Sequence, residues 1–446
     1  MAARVCTVRV SAQEVHSVLS RHILVDGFHL VPDLNRSQGS WLVDERDGRR
    51  YLDFFSNFAS QALGWNHPGL ALPEFRERLV LAALHKPANS DLYTRFFAEF
   101  AETFARVAVP ESHAGHLFFV DGGALAVENT LKAAFDWKIR SNRRAGLGED
   151  LGTKVLHFRQ AFHGRSGYTL SLTNTADPRK TALFPKFGWP RISNPAITFP
   201  LAEHLEQVAQ AEAQAVAEIE AAVAQHGHDI ACLIVEPIQA EGGDNHFRPE
   251  FLRELRRLAD EHEFLLIFDE VQTGMGVTGT WWAWQGLEVE PDLFAFGKKV
   301  QVCGFASNTR IDSEPENVFR ISSRINSTWG ANLADMVRVT RVLEIMEEEN
   351  TLANVRAMGG YLQGSLHDLA AALPHTISQV RGRGLLVAFD FPNGEVRDRA
   401  VVACRNEGLL VLPCGTHSIR FRPYLDVTQE DASTAIRFLD KALRSL

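Results

Sequence analysis

Short, unbroken apolar runs alternate with helix-patterned segments through the middle of the chain. HLFFV (116–120) precedes AVENTLKAAFDWKIR (126–140); KVLHF (154–158), IACLIVEPI (230–238), FLRELRRLADEH (251–262), LLIFDEV (265–271) and LFAFG (293–297) follow. Strands buried on both faces read this way, as continuous Val/Ile/Leu/Phe stretches without polar alternation. Their alternation with helices predicts βαβ units and a mainly parallel sheet. The Ala/Glu/Gln-rich segment 201–226 consists of strong helix formers and stops at Gly227. From about 335 the pattern changes: a long helix candidate, ADMVRVTRVLEIMEEEN, leads into a Gly-punctuated segment (381–424) with short strands such as LLVAFDF and SIRFRP. The expected fold class is α/β, with a large domain over 60–330 and a smaller α+β domain formed by 1–59 and 331–446.

Composition narrows the function classes. At 446 residues the chain is too long for one minimal core. It is 45% hydrophobic and 23% charged, ordinary for a globular protein. A formal charge of −9, with no block of like charges, argues against nucleic acid as the main partner. The N-terminal MAARVCTVRV lacks the apolar core and small-residue cleavage site of a signal peptide. Apolar runs such as IACLIV are far too short to span a bilayer, so no membrane partner is expected. The five cysteines (6, 232, 303, 404, 414) are scattered, odd in number and without a CxxC pair. They read as reduced thiols of a cytoplasmic protein.

The chemistry concentrates where apolar runs end in polar residues. FLLIFDEVQT (264–273) finishes in Asp269 and Glu270, and acidic residues are rarely buried without a partner. In open parallel α/β sheets ligands sit at the carboxyl ends of strands. VEP (235–237) and DEVQ (269–272) both lie at such ends, and PDLFAFGKKV ends a third run in Gly297, Lys298 and Lys299. DGGALAVENTLK (121–132) sets Gly122 and Gly123 before a helix starting near Ala124, where backbone N–H groups and the helix dipole favour an anion. AFHGR (161–165) adds an aromatic face, a His and an Arg. Singly each feature is ordinary: an Asp and a Lys at strand ends are more often a structural ion pair, and a Gly pair is more often a tight turn. Together they meet the needs of pyridoxal phosphate: a phosphate cradle, an aromatic face, a reactive Lys, and an acid for the pyridine nitrogen.

With these motifs on the page, the sequence resembles the class III, fold-type I pyridoxal-phosphate aminotransferases over nearly its whole length. The motifs come in the family's order: the Gly-rich turn, FHGR, VEPIQAEGG, IFDEVQTG, PDLFAFGKK and NSTWGANL. GGALAVEN, AFHGRSGYTLSLTNT, HFRPEF, AFGKKVQVCG and RINSTWG bring it nearest to the L-lysine 6-aminotransferase branch. The resemblance implies a seven-stranded type of sheet in the large domain. It implies Lys298, six residues after Asp292, as the Schiff-base lysine, with Lys299 a structural neighbour. It further implies Asp269 on the pyridine nitrogen, Val271 behind the ring, Phe162 stacked on its other face and Gln272 near the ring hydroxyl and the substrate. Gly123 and Ala124 would give backbone donors to the phosphate, and His163 and Glu236 would sit beside the ring. Thr328 of NSTWG matches a threonine that reaches the phosphate of the neighbouring subunit, which implies a homodimer with shared active sites. Many members carry a Ser where Gly122 stands and a Glu where Leu125 stands, so this cradle is expected to rely on backbone.

The resemblance also implies how two substrates share one ring. L-lysine would react through its ε-amine, with Arg165 on its α-carboxylate, and 2-oxoglutarate would place its distal carboxylate on the same Arg. Arg420, in SIRFRP, would take the carboxylate beside the keto group, and Glu241, in QAEGG, would neutralise Arg420 when lysine is bound. Two alternatives stand at this point: another ω-amine donor such as ornithine or 4-aminobutyrate, or a cofactor-binding protein without turnover.

Overall fold

The computed structural model describes residues 9–446. Cys6 and most of the N-terminal stretch inspected for a leader lie outside the described residues. Near the start, Trp41–Val43 (β1) and Arg50–Asp53 (β2) pair as antiparallel strands. The strands that follow are Leu117–Val120 (β3), Lys154–Phe158 (β4), Arg191–Ile192 (β5) and Ile230–Val235 (β6). After a small hairpin of Ile238–Gln239 (β7) and Asn245–His246 (β8) come Leu265–Asp269 (β9), Leu293–Phe296 (β10) and Cys303–Ser307 (β11).

These build a seven-stranded sheet in the order β3-β11-β10-β9-β6-β4-β5, as the sequence pattern and the resemblance led one to expect. The pairings β4–β5, β4–β6, β6–β9 and β9–β10 are parallel, and β11 alone is reversed between β10 and β3. All five residues of β9 and all six of β6 are buried, which is why their sequences show no alternation. Helices Gly123–Arg144, Leu201–His226 and Pro249–Glu261 cross between strands.

The C-terminal part adds Ser378–Arg383 (β12), Leu386–Asp390 (β13), Leu409–Leu410 (β14), Leu412–Cys414 (β15) and Ser418–Phe421 (β16). β12, β13, β16 and β15 form a four-stranded sheet, while β14 pairs in parallel with β2. Arg420 on β16 faces back toward the large sheet through its contact with Gln272, just past β9. No helix among the described residues is long and apolar enough to cross a membrane.

Candidate active site

The polar residues singled out in the sequence collect at one edge of the large sheet, beyond the carboxyl ends of its parallel strands. Phe162 and His163 follow β4, Glu236 follows β6, Asp269 closes β9, and Lys298 follows β10. Gly123 opens the helix after β3. These residues, with Ala124, Gly164, Arg165, Val271 and Gln272, line one cavity of about 290 Å³.

Asp269 is 4% exposed, and its side chain has two partners. Oδ2 lies 2.7 Å from His163 Nδ1, and Oδ1 accepts from the Val271 amide at 3.0 Å. An ionised carboxylate only accepts, so Nδ1 carries the proton. His163 is therefore tied directly to Asp269, a contact the sequence reading did not contain. Its Nε2 is buried with no partner among the described residues. The second carboxylate of the opening motif has a different fate. Glu270 accepts from the Thr273 hydroxyl and, at 3.0 Å, from the Trp284 amide. Burial pushes it up to about 7, and it belongs to the protein interior.

Glu236 lines the cavity and accepts from the Phe162 amide at 2.8 Å and the Ala240 amide at 3.3 Å, fixing the loop that carries Phe162. Burial, reinforced by Asp269, pushes its carboxyl well above the usual range. Lys298 opens into the cavity, and burial, with Arg420 nearby, pushes its ammonium down to about 8. Lys299 turns away: it is buried and donates to the Ala59 carbonyl at 3.0 Å, as a structural neighbour should.

At the mouth of the cradle, Gly122 precedes the helix at φ 98°, a conformation open to glycine. The first helical N–H groups have no partner within the helix, and the first two helical residues, Gly123 and Ala124, line the cavity. Gly164, the glycine of AFHGR, has φ +121° and a role the sequence alone does not give. A Cβ there would stand 2.6 Å from the Ala124 Cβ, so the FHGR loop closes on the helix start only with glycine.

Arg165 is exposed and lines the cavity, with no side-chain hydrogen bond or ion pair among the described residues. Arg420, 3% exposed, sits behind Gln272, whose Oε1 is 3.4 Å from Nη1. Glu241 accepts from Arg420 Nη2 at 3.0 Å, the pairing the resemblance implied, and also from Lys180 Nζ at 2.6 Å. Burial alone would raise the Glu241 carboxyl, but the two cations hold it below its usual value. Lys180 was not legible in the sequence. Thr328 is exposed and is not part of this chain's cavity wall.

Residues 25–443 match the family described as aminotransferase class-III. The chain belongs to the class-III aminotransferases. Among its relatives, an L-lysine-epsilon aminotransferase of Mycobacterium tuberculosis is 53% identical over 430 residues, covering 96% of this chain and 95% of that protein. One from Streptomyces clavuligerus is 50% identical over 439 residues, covering 98% and 95%. The solved structure of a lysine aminotransferase from M. tuberculosis in the internal aldimine form superposes with a TM-score of 0.95 at 52% identity, covering 98% and 99%. As a member of this family the chain is a pyridoxal-phosphate transaminase.

The residues present fit that cofactor. Asp269 keeps lone pairs free for a ring N–H⁺ after satisfying His163 and Val271. Val271 lies under the cradle so closely that a Cβ at Gly123 would come within 3.0 Å of its Cγ1. The helix start, Gly123 and Ala124, lines the cavity, and Lys298 joins the lining from the end of β10.

Proposed function

We propose that this aminotransferase moves the ε-amino group of L-lysine to 2-oxoglutarate, giving glutamate and 2-aminoadipate 6-semialdehyde, which closes to piperideine-6-carboxylate. The observation that carries the reading is the asymmetry of the two arginines. Arg165 stands open at the cavity, while Arg420 is covered by Glu241. A donor with its amine at one end and its carboxylate at the other needs only the open arginine. A dicarboxylate acceptor needs both. Identities of 50% and 53% to L-lysine-epsilon aminotransferases support lysine as the donor.

In this reading Gly123 and Ala124 would hold the phosphate through their amides, Phe162 and Val271 would enclose the ring, and Gln272 would meet the ring hydroxyl and the substrate. Asp269, aligned by His163, neutralises the pyridine nitrogen, while Glu236 fixes the Phe162 loop. When bound, pyridoxal phosphate supplies an electron-poor ring that accepts the electron pair released as the substrate C–H bond breaks. Lys298 Nζ would take the proton from the substrate's ε-carbon as base and then, as acid, hand it to the cofactor side rather than back to that carbon. Burial, with Arg420 nearby, holds that amine below the usual lysine range, toward the neutral form a base needs. Arg165 fixes the lysine α-carboxylate so that the ε-carbon meets Nζ, and Glu241 keeps the buried charge of Arg420 paired meanwhile.

A homodimer with shared sites belongs to the same reading. Thr328 is exposed and linked to a second exposed segment, its carbonyl accepting from the Ser90 hydroxyl at 3.1 Å. Leu92, Tyr93 and Trp329 on these segments are 66%, 80% and 49% exposed, an apolar surface of the kind an isologous interface covers. For the domains we retain 60–330 as the large unit and 1–59 with 331–446 as the smaller, supported by the pairing of β14 with β2. A cytoplasmic setting is supported by the four described cysteines, all free and buried.

A donor screen tests the function. With 2-oxoglutarate as acceptor and glutamate release as readout, lysine should exceed ornithine and 4-aminobutyrate in kcat/KM by at least about ten-fold, roughly 1.4 kcal/mol of transition-state discrimination. A preference for ornithine would overturn lysine as the donor.

A further inference from the structure

Glu241 is not in a simple pair. Its two oxygens are divided between two cations: Oε2 takes Arg420 Nη2 at 3.0 Å and Oε1 takes Lys180 Nζ at 2.6 Å. The three groups differ in solvation. Arg420 is 3% exposed at the side chain, Glu241 20% and Lys180 31%. Lys180 is set by a short turn, Pro178–Lys180, which Asp177 caps by accepting from the Arg179 amide at 3.1 Å. Asp177 also binds the Arg179 guanidinium, so the neighbouring cation is occupied and Lys180 alone is presented to Glu241.

We propose that Lys180 is a positioning residue for the acceptor half-reaction: it receives the Glu241 carboxylate when Arg420 turns to the carboxylate of 2-oxoglutarate. This rests on the function proposed above and names the element that makes the change of partner possible. With Arg420 covered, the Glu241 charge is shared by two cations that repel each other. Once a dicarboxylate claims Arg420, Glu241 would otherwise stand as a partly desolvated, unpaired anion, the arrangement that costs most in a protein interior. Lys180 removes that cost from the open state; in the closed one it also holds Glu241, at 2.6 Å, but Arg420 shares the same anion at 3.0 Å, so losing Lys180 there leaves Glu241 still paired. It therefore shifts the equilibrium toward the acceptor-competent state by its differential interaction with the two states. Lysine binding leaves Arg420 covered and does not draw on Lys180.

The test uses the holoenzyme of wild type, Lys180→Met and Lys180→Arg, following cofactor absorbance through each half-reaction separately. Lys180→Met should raise the 2-oxoglutarate concentration for half-maximal rate about ten-fold, leave the rate and half-saturation with lysine at wild-type values, and be rescued by Lys180→Arg. Glutarate, a dicarboxylate of the same length without the keto group, should bind Lys180→Met about ten-fold more weakly, while hexanoate, with one carboxylate for Arg165, should bind equally to both. Equal loss in the two half-reactions, or unchanged glutarate binding, overturns the proposal. A wild-type enzyme that lysine fails to convert would instead remove the donor assignment, and the glutarate-to-hexanoate comparison would still decide the role of Lys180.

Discussion

His163 spends its Nδ1–H on Asp269 at 2.7 Å, and both side chains are almost wholly buried. The carboxylate is thereby oriented before any ring arrives, which lowers the ordering cost of binding. The hydrogen bond is made to a charged group, and such bonds contribute about 1.5–3 kcal/mol. His163→Phe should therefore weaken pyridoxal phosphate binding about ten- to hundred-fold, and His163→Asn, which keeps a donor near the Nδ1 position, should recover much of the loss. Equilibrium titration of the cofactor-free variants with the cofactor, read by absorbance, checks this; an unchanged Kd for His163→Phe would deny the histidine a part in aligning Asp269. At this scale the sequence was legible in position: Glu236, Asp269 and Lys298 end apolar runs, and all three line one cavity at the sheet edge. It was silent on Lys180, which reaches Glu241 across 61 residues from a loop without periodicity, and on the direct His163–Asp269 contact, since nothing in a linear pattern says which polar neighbours meet.

Four successive residues, Ser56 to Ala59, hold φ of 39°, 54°, 57° and 61°, a left-handed turn without a glycine. Such backbone persists only where its surroundings over-determine it. Here Lys299 braces it, Nζ donating to the Ala59 carbonyl at 3.0 Å, and the Asp53 carboxylate accepts from the Phe55 and Ser56 amides at 2.9 and 2.8 Å. Burial, with Arg422 nearby, pushes Lys299 down to about 7. Because that value lies below the unfolded one of 10.5, the unfolded chain binds more protons between them, and the group's contribution to stability rises with pH across this window. Lys299→Met leaves the Ala59 carbonyl unpaired at a cost of about 1–3 kcal/mol while removing a charge that burial penalises. The melting temperature of the variant should thus fall below wild type by more at pH 9.5 than at pH 7; a deficit that shrinks with rising pH would contradict the buried-amine account. The same scale shows why some elements could be read and others not. β6, β9 and β10 are buried on both faces and advertise themselves as apolar runs. β11 reads CGFAS, with Gly304 required because a Cβ there would fall 2.0 Å from the Phe118 carbonyl oxygen, and β5 is only two residues long. Both were set by tertiary packing against neighbours and left no periodic trace.

Whole-molecule organisation enters through Thr328, which is exposed on this chain although the family resemblance gives it a phosphate to hold. The proposed homodimer reconciles the two, because each site would then draw its threonine from the other subunit. Complementation separates this from any arrangement in which Thr328 serves its own chain. On this proposal Thr328→Ala alone would remove one hydrogen bond to a charged phosphate and should weaken cofactor binding about ten-fold, and Lys298→Ala alone should be inactive. In a dimer assembled from one subunit of each kind, the subunit with Lys298→Ala still lends its own Thr328 to its neighbour. The neighbour keeps Lys298, so one complete site forms and the other loses both groups. Purified mixed dimers, carrying two different affinity tags, should show about half the wild-type activity per dimer, with the cofactor affinity of wild type at the surviving site. Were Thr328 to act within its own chain, every mixed dimer would contain one site lacking the lysine and one lacking the threonine, and the cofactor affinity of the active site would stay at the weakened value of Thr328→Ala.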